Sequence, residues 1–195
     1  MEGIPMIRML FMALLLVSPL SYAELTQEDL KEILAPRIEG LKFLTKNGML
    51  LQAIREQNRQ EQSLDEIKKI DAEWKAGTSP LIKELQENKA GSFLKNIIIQ
   101  QADVYSEAFL TDAQGANVAA YPATSDYWQG DEEKFTASFN GGQGKVFIGP
   151  IEMDESTQTN AVQISVPMEY NDETIGVLVI GVKVSVLEAE KLQGQ

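Results

Sequence analysis

The chain has 195 residues, a formal net charge of -12, 44% hydrophobic residues and 24% charged residues. This is the composition of a globular protein of one or two small domains, and its acidity argues against nucleic acid or an anionic membrane surface as partner. With no cysteine and no histidine, disulfides, thiolate metal sites and Ser-His-Asp or Cys-His machinery are excluded, so an enzyme here would work with carboxylates, lysine or tyrosine alone.

Residues 1–23, "MEGIPMIRMLFMALLLVSPLSYA", place one basic residue, Arg8, before an apolar run from Met9 to Val17. Pro19 breaks the run, and Ser21 and Ala23 supply small residues where a signal peptidase reads. This is the layout of a secretory signal peptide. The competing reading, an uncleaved anchor, asks for about 20 apolar residues. Cleavage would remove Glu2 and Arg8 together and leave the charge at -12. The expected location is a bacterial periplasm. The best later apolar run, "TIGVLVIGVKVSVL", is interrupted by Gly176, Gly181 and Lys183.

From Glu28 to Gln62 apolar residues recur three or four apart: Leu30, Leu34, Ile38, Leu41, Leu44, Leu51 and Ile54. The spacing predicts one long helix, with Pro36 near a start or kink and Gly48 as a weak point. Ser63 and Glu66 have capping-box spacing and open a second helix. Thr78 or Ser79 is expected to cap a third, with Pro80 in its first turn. Ser92 is expected to cap a last short helix from Phe93 to about Gln101.

After Gln101 the period becomes two. "VYSEAFLTD" and "ANVAAYP" read as a hairpin around "TDAQG", where Asp112 bonds the backbone and Gly115 takes a positive φ. "NGGQG" is a turn feeding "KVFIGPIEM". The neighbouring "GGQGK" fails the phosphate-loop pattern at Phe139 and Val146. In "NAVQISVPMEY", Val162, Ile164, Val166 and Met168 face one way, Gln163 and Ser165 the other. "TIGVLVIGVKVSV" reads as the last strand, apolar on both faces in its early part and therefore central. The fold class is α+β: N-terminal helices, one long, packed on an antiparallel sheet of about five strands.

Helices, two strands, a lid and three strands, together with "EAFLTDAQGANVAAYPATSDYWQGDEEKF", "KVFIGPIEMDES" and "QISVPMEYNDETIGVLVIGVKV", resemble the extracytoplasmic PAS-like sensor domains of the Cache (PDC) superfamily. The resemblance implies one domain over 24–195, helical over 24–101 and sheet over 102–190, with a lid at 121–140. It implies a small polar metabolite (organic acid, amino acid or amine) held between sheet and lid, and a membrane receptor or kinase that reads the change. It further implies a stand-alone secreted form, no cofactor, and a homodimer through the long first helix unless that helix only covers the sheet.

The lid stretch 123–135, "ATSDYWQGDEEKF", carries the candidate site. Tyr121, Tyr127 and Trp128 would form walls, and Thr124, Ser125 and Asp126 would supply hydrogen bonds, with Asp126 suited to an amine. The competing reading is that Asp126 or Ser125 caps a short helix and Trp128 plugs the core. Tyr105 and Glu107 share a face of the first strand; with Gln163 and Ser165 they line the pocket if that face meets the lid. The acids Asp131, Glu132 and Glu133 and the knot from Glu152 to Ser156 read as solvated turns rather than cation sites. Three functions stay in view: a non-catalytic sensor, an interaction module with a self-filled pocket, and a carboxylate-based hydrolase needing two convergent acids.

Overall fold

The computed structural model describes residues 25–194; the expected signal peptide, 1–23, lies outside them. Among the described residues no helix is long and apolar enough to cross a membrane.

The stretch expected as one long helix is two. In α1 (Gln27–Leu44) Thr26 and Asp29 form a reciprocal cap: the Thr26 hydroxyl accepts the Asp29 N–H at 3.2 Å, and the Asp29 carboxylate accepts the Thr26 N–H at 2.8 Å. Pro36 lies inside α1. The chain then turns, and Asn47 caps α2 (Gly48–Asn58) by accepting the N–H groups of Met49 and Leu50. An Asn-Gly pair after Leu44 thus ends one helix and starts the next.

Ser63 and Glu66 form the predicted box at the start of α3 (Leu64–Lys75). The next two caps differ from expectation. α4 (Leu81–Glu87) follows Pro80 with no side-chain cap, because the Thr78 hydroxyl donates back to the Glu73 carbonyl at 3.1 Å. α5 (Lys89–Gln100) starts before Phe93 and is capped by Asn88, whose Oδ1 accepts the Gly91 N–H at 2.7 Å. Ser92 instead donates to the Glu87 carbonyl.

The strands are β1 (Tyr105–Thr111), β2 (Asn117–Tyr121), β3 (Phe147–Asp154), β4 (Thr159–Tyr170) and β5 (Glu173–Lys183). They form one sheet in the order β2-β1-β5-β4-β3, antiparallel throughout. This is a PAS-like α+β architecture. The turn between β1 and β2 follows the prediction: Asp112 Oδ1 accepts the N–H groups of Gln114 and Ala116, and Gly115 has φ +84°.

β4 alternates as read. Val162, Ile164, Val166 and Met168 join Ala108, Leu110, Leu178 and Ile180 in the main core, against Leu34, Ile54 and Leu94 of the helices. Phe109, Ala120, Val177 and Val179 occupy the opposite face. β5 is thus apolar on both sides, as a central strand must be when both faces are covered.

The last strand stops earlier than expected, at Lys183, and α7 (Val184–Gln193) follows. Two ion pairs hold α7 against α1: Arg37 grips Glu190 at 2.6 and 2.8 Å, and Lys191 meets Asp29 at 2.8 Å. A second difference lies in β1, where the register shifts between Tyr105 and Ala108. The irregularity turns Tyr105 to the helix side, against the main core, so Tyr105 and Glu107 do not share a face.

Candidate functional site

The second face of the sheet is covered by the lid. Its helix α6 (Glu133–Phe139) sets Phe135 and Phe139 on Phe109, Val177 and Val179. Beside that contact, between the lid, β1 and the β3–β4 hairpin, a cavity of about 270 Å³ remains. Glu107, Phe109 and Gln163 line it from the sheet, Thr124, Ser125 and Gln129 from the lid, Lys134 from α6, and Asp154 and Ser156 from the hairpin.

Glu107 is only 2% exposed. Gln163 Nε2 donates to its Oε1 at 2.6 Å, and Ser156 Oγ lies 3.0 Å from its Oε2. The same Ser156 hydroxyl lies 2.7 Å from Asp154 Oδ1. One hydroxyl has one proton to give. It donates to Glu107 or to Asp154 at any one time, and both contacts are hydrogen bonds together only when one of the two carboxyls carries a proton. The electrostatics agree: burial first, then Asp154, pushes the Glu107 carboxyl up, while Gln163, Lys134 and Ser156 partly oppose the shift.

Asp154 belongs to its own hairpin. It accepts the N–H and the hydroxyl of Ser156 through Oδ1 and the Thr157 hydroxyl through Oδ2.

The lid enters the cavity through a buried polar knot. Asn117 Nδ2 donates to Thr124 Oγ1 at 2.7 Å, and that hydroxyl donates to the Asp126 carbonyl at 2.6 Å. The Trp74 indole N–H donates to the Thr124 carbonyl at 2.8 Å. Gln129, 1% exposed, donates through Nε2 to the carbonyl and the carboxylate of Asp126. Its Oε1 has no partner. Burial and Glu132 raise the Asp126 carboxyl, and Lys75, 3.8 Å away, opposes them.

The residues singled out in the sequence fall into groups. Thr124, Ser125 and Gln163 line the cavity. Ser165 is on the same sheet face, fully buried, with its hydroxyl unpartnered, but is outside the lining. Asp126 stands behind the lining and positions Gln129. Tyr121 packs on the main core with the Lys95 ammonium over its ring, and Tyr105 borders a groove on the helix side of the sheet.

Tyr127 and Trp128 lie away from the cavity. Tyr127, 2% exposed, fills a separate small core with Ile67, Trp74 and Leu85. Trp128 is partly buried, donates its indole N–H to the Gln114 carbonyl and carries the Lys68 ammonium over its ring. Neither aromatic lines the cavity. Gly181 serves tight packing, since a side chain there would press on Ser106 and Glu107.

Glu107 was singled out in the sequence as an inner position of the first strand, though paired there with Tyr105. Lys134 was not, because the packing of α6 brings it to the sheet, and Gln129 was not, because its place follows from its bonds to Gly115 and Asp126. Among the described residues no group of three or more acids is arranged to hold a metal.

No family model matches the chain. No curated protein matches it either. Among solved structures it is similar to the sensor domain of the histidine kinase DctB of V. cholerae, with TM-score 0.42 and 16% identity over 83% of this chain and 55% of that one. It is similar also to the sensory domain of the Campylobacter jejuni chemoreceptor Tlp3 with isoleucine bound, with TM-score 0.41 and 13% identity over 84% of this chain and 66% of that one. The chain thus spans 55% and 66% of the two. Both scores are low, and the functional reading rests on the cavity itself.

Proposed function

We propose that this chain is a single Cache-type sensor domain of the periplasm that binds a small polar metabolite between sheet and lid. It performs no chemistry and passes the change to a membrane receptor or kinase. The observation that carries this reading is the cavity: set between lid and sheet, with Glu107 buried in its wall and Gln129 left with an unused acceptor. Binding sites have this form, a concave space with a few placed polar groups.

The sequence of events follows from the bonds. A guest that engages Glu107 competes with Ser156, which ties β1 to the β3–β4 hairpin. Releasing that tie moves the hairpin against the lid, and the altered surface is what a partner reads. The outer side of α1, where Phe43 is 81% exposed, supports pairing with a second copy.

Two features bear on the rival readings. Tyr127 and Trp74 fill the space beside the first half of the lid, so self-filling accounts for that side and leaves the cavity open. Glu107 and Asp154 converge on Ser156, as a hydrolase would require, but both Asp154 oxygens are occupied by its hairpin, which argues for a structural acid.

A thermal-shift screen of organic acids, amino acids and amines tests the reading. One class is expected to raise the melting temperature, and Gln163→Leu to abolish the rise. Silence across all three classes would end it.

A further inference from the structure

Tyr105 turns away from the lid and borders a groove on the helix side of the sheet. Residues of α1 and α5 form its walls and residues of β1 and β5 its floor, around a space of about 690 Å³. The floor is the main core itself: Ala108, Leu178 and Ile180 are each at most 2% exposed. Leu41 and Leu44 of α1 and Ile97 of α5 carry the apolar lining up the walls. Small-molecule sites have this size and makeup, mostly apolar with a few placed polar groups. Water finds few partners in such a lining.

The charges narrow the kind of molecule that fits. Two charged residues line the groove, Arg37 and Glu190, and they hold each other through bonds of 2.8 and 2.6 Å. An ionised guest would have to break that pair or set an unpaired charge against an apolar wall, and both are costly. An uncharged guest leaves the pair intact. The Tyr105 phenol stands beside Arg37 and can bond a hydroxyl or a carbonyl.

Gly40 is an independent observation. It lies inside α1, on the groove, with helical backbone. Glycine weakens a helix interior. Beyond the helix's own backbone, no atom of the described residues lies within 4 Å of the place its Cβ would take. Packing within the domain does not ask for a glycine here, whereas a guest lying against α1 does.

The geometry points to a second binding site, on the face of the sheet opposite the lid, for an uncharged small molecule with a hydrocarbon body. The hydrocarbon covers Leu41, Leu44 and Ile97 above the core floor, and one polar group reaches Tyr105. This site is separate from the cavity under the lid and does not rest on it.

The fluorescence of N-phenyl-1-naphthylamine, an uncharged apolar probe, tests this on the chain as secreted. Its emission is expected to rise on binding, and uncharged alcohols to displace it. 1-Octanol is expected to act at about a tenfold lower concentration than 1-hexanol, as two more buried methylenes require. Octanoate and octylammonium carry the same chain with one charge and are expected to need at least about fivefold more than 1-octanol. Gly40→Leu puts a side chain into the groove without disfavouring the helix, and is expected to weaken the probe about tenfold at an unchanged or higher melting temperature. Ile97→Glu sets a carboxylate in the opposite wall and gives an independent loss of similar size. Gln163→Leu, under the lid, is expected to leave the probe untouched.

No rise in emission overturns the site. So does displacement by octanoate or octylammonium at the concentration of 1-octanol. Binding that survives Gly40→Leu and Ile97→Glu but falls with Gln163→Leu assigns the probe to the lid cavity instead. A dimer that Gly40→Leu dissolves gives the groove to a second copy and overturns the small-molecule assignment. The reading of the lid cavity stands or falls separately, on its screen of acids, amino acids and amines.

Discussion

The Asp71 carboxylate on α3 accepts the backbone N–H of Tyr127 at 2.9 Å. The same oxygen takes the N–H of Trp128 at 3.1 Å, and the other oxygen holds Lys75 at 2.7 Å. A single helical side chain thus pins the lid where its backbone passes the helices. Hydrogen bonds to a charged acceptor are each worth about 1.5–3 kcal/mol. Asp71→Ala is expected to destabilise the domain by about 3 kcal/mol in urea denaturation. Asp71→Asn keeps an acceptor oxygen and is expected to lose about half as much. Equal losses in the two variants would show that the acceptor is not what matters.

The two aromatics of the lid should separate by burial. Tyr127→Ala empties a closed core and is expected to cost about 3–5 kcal/mol. Trp128→Ala removes a partly solvated ring and is expected to cost about 1 kcal/mol. The affinity of whichever compound the screen identifies should survive Trp128→Ala. Its loss at unchanged stability would restore the pair as a clamp.

Three buried carboxyls set one arm of the pH profile. Burial raises Glu107, Asp112 and Asp126 above the ordinary carboxyl range, with Asp154 adding to it at Glu107 and Glu132 at Asp126, while Lys134 and Lys75 oppose. Each folded group holds its proton more readily than the unfolded one. The stability it contributes is complete below the unfolded pKa and is lost as pH rises through the raised folded value. Glu107→Gln mimics the protonated form. Measured from about pH 5 to about pH 8, the variant should gain stability relative to the parent as pH rises. A constant difference would mean that Glu107 does not titrate in that window.

The α1–α7 pair behaves oppositely. Its bond from Arg37 lowers the Glu190 carboxyl, so the contribution is present above the unfolded carboxyl pKa and is lost as pH falls through the lowered one. The Glu190 side chain is 38% exposed and the Arg37 side chain 16%. Solvent and salt screen such a pair to about 1 kcal/mol or less. An Arg37→Met, Glu190→Gln double-mutant cycle is expected to return a coupling of that size that shrinks as salt is added. A coupling indifferent to salt would contradict this.

The sheet was legible because one pattern carried it. The alternation of β4 assigned Val162 and Gln163 to opposite sides, and a central β5 followed from its unbroken apolar run. The helix α7 was not legible. Its opening, Val184 to Leu187, continues the β-branched alternation of the strand, and what fixes it as a helix includes Arg37 and Asp29, more than a hundred residues earlier. Tyr105 was misplaced for a similar reason, since the register shift in β1 arises from pairing with β5. At the site, Thr124, Ser125 and Gln163 could be read from position along the chain. Gln129 could not, because its vacancy for a donor depends on how Asp126 turns its amide.

The contact between the Trp74 indole and the Thr124 carbonyl has an optical consequence. The chain has two tryptophans, Trp74 on α3 and Trp128 in the lid. Trp74 is buried and bonded to a residue of the cavity wall, while Trp128 is partly open to solvent beside Lys68. Their emission should differ in wavelength and in access to a dissolved quencher. A shift confined to the bluer, protected component would report occupancy of the cavity from within, with no dye attached.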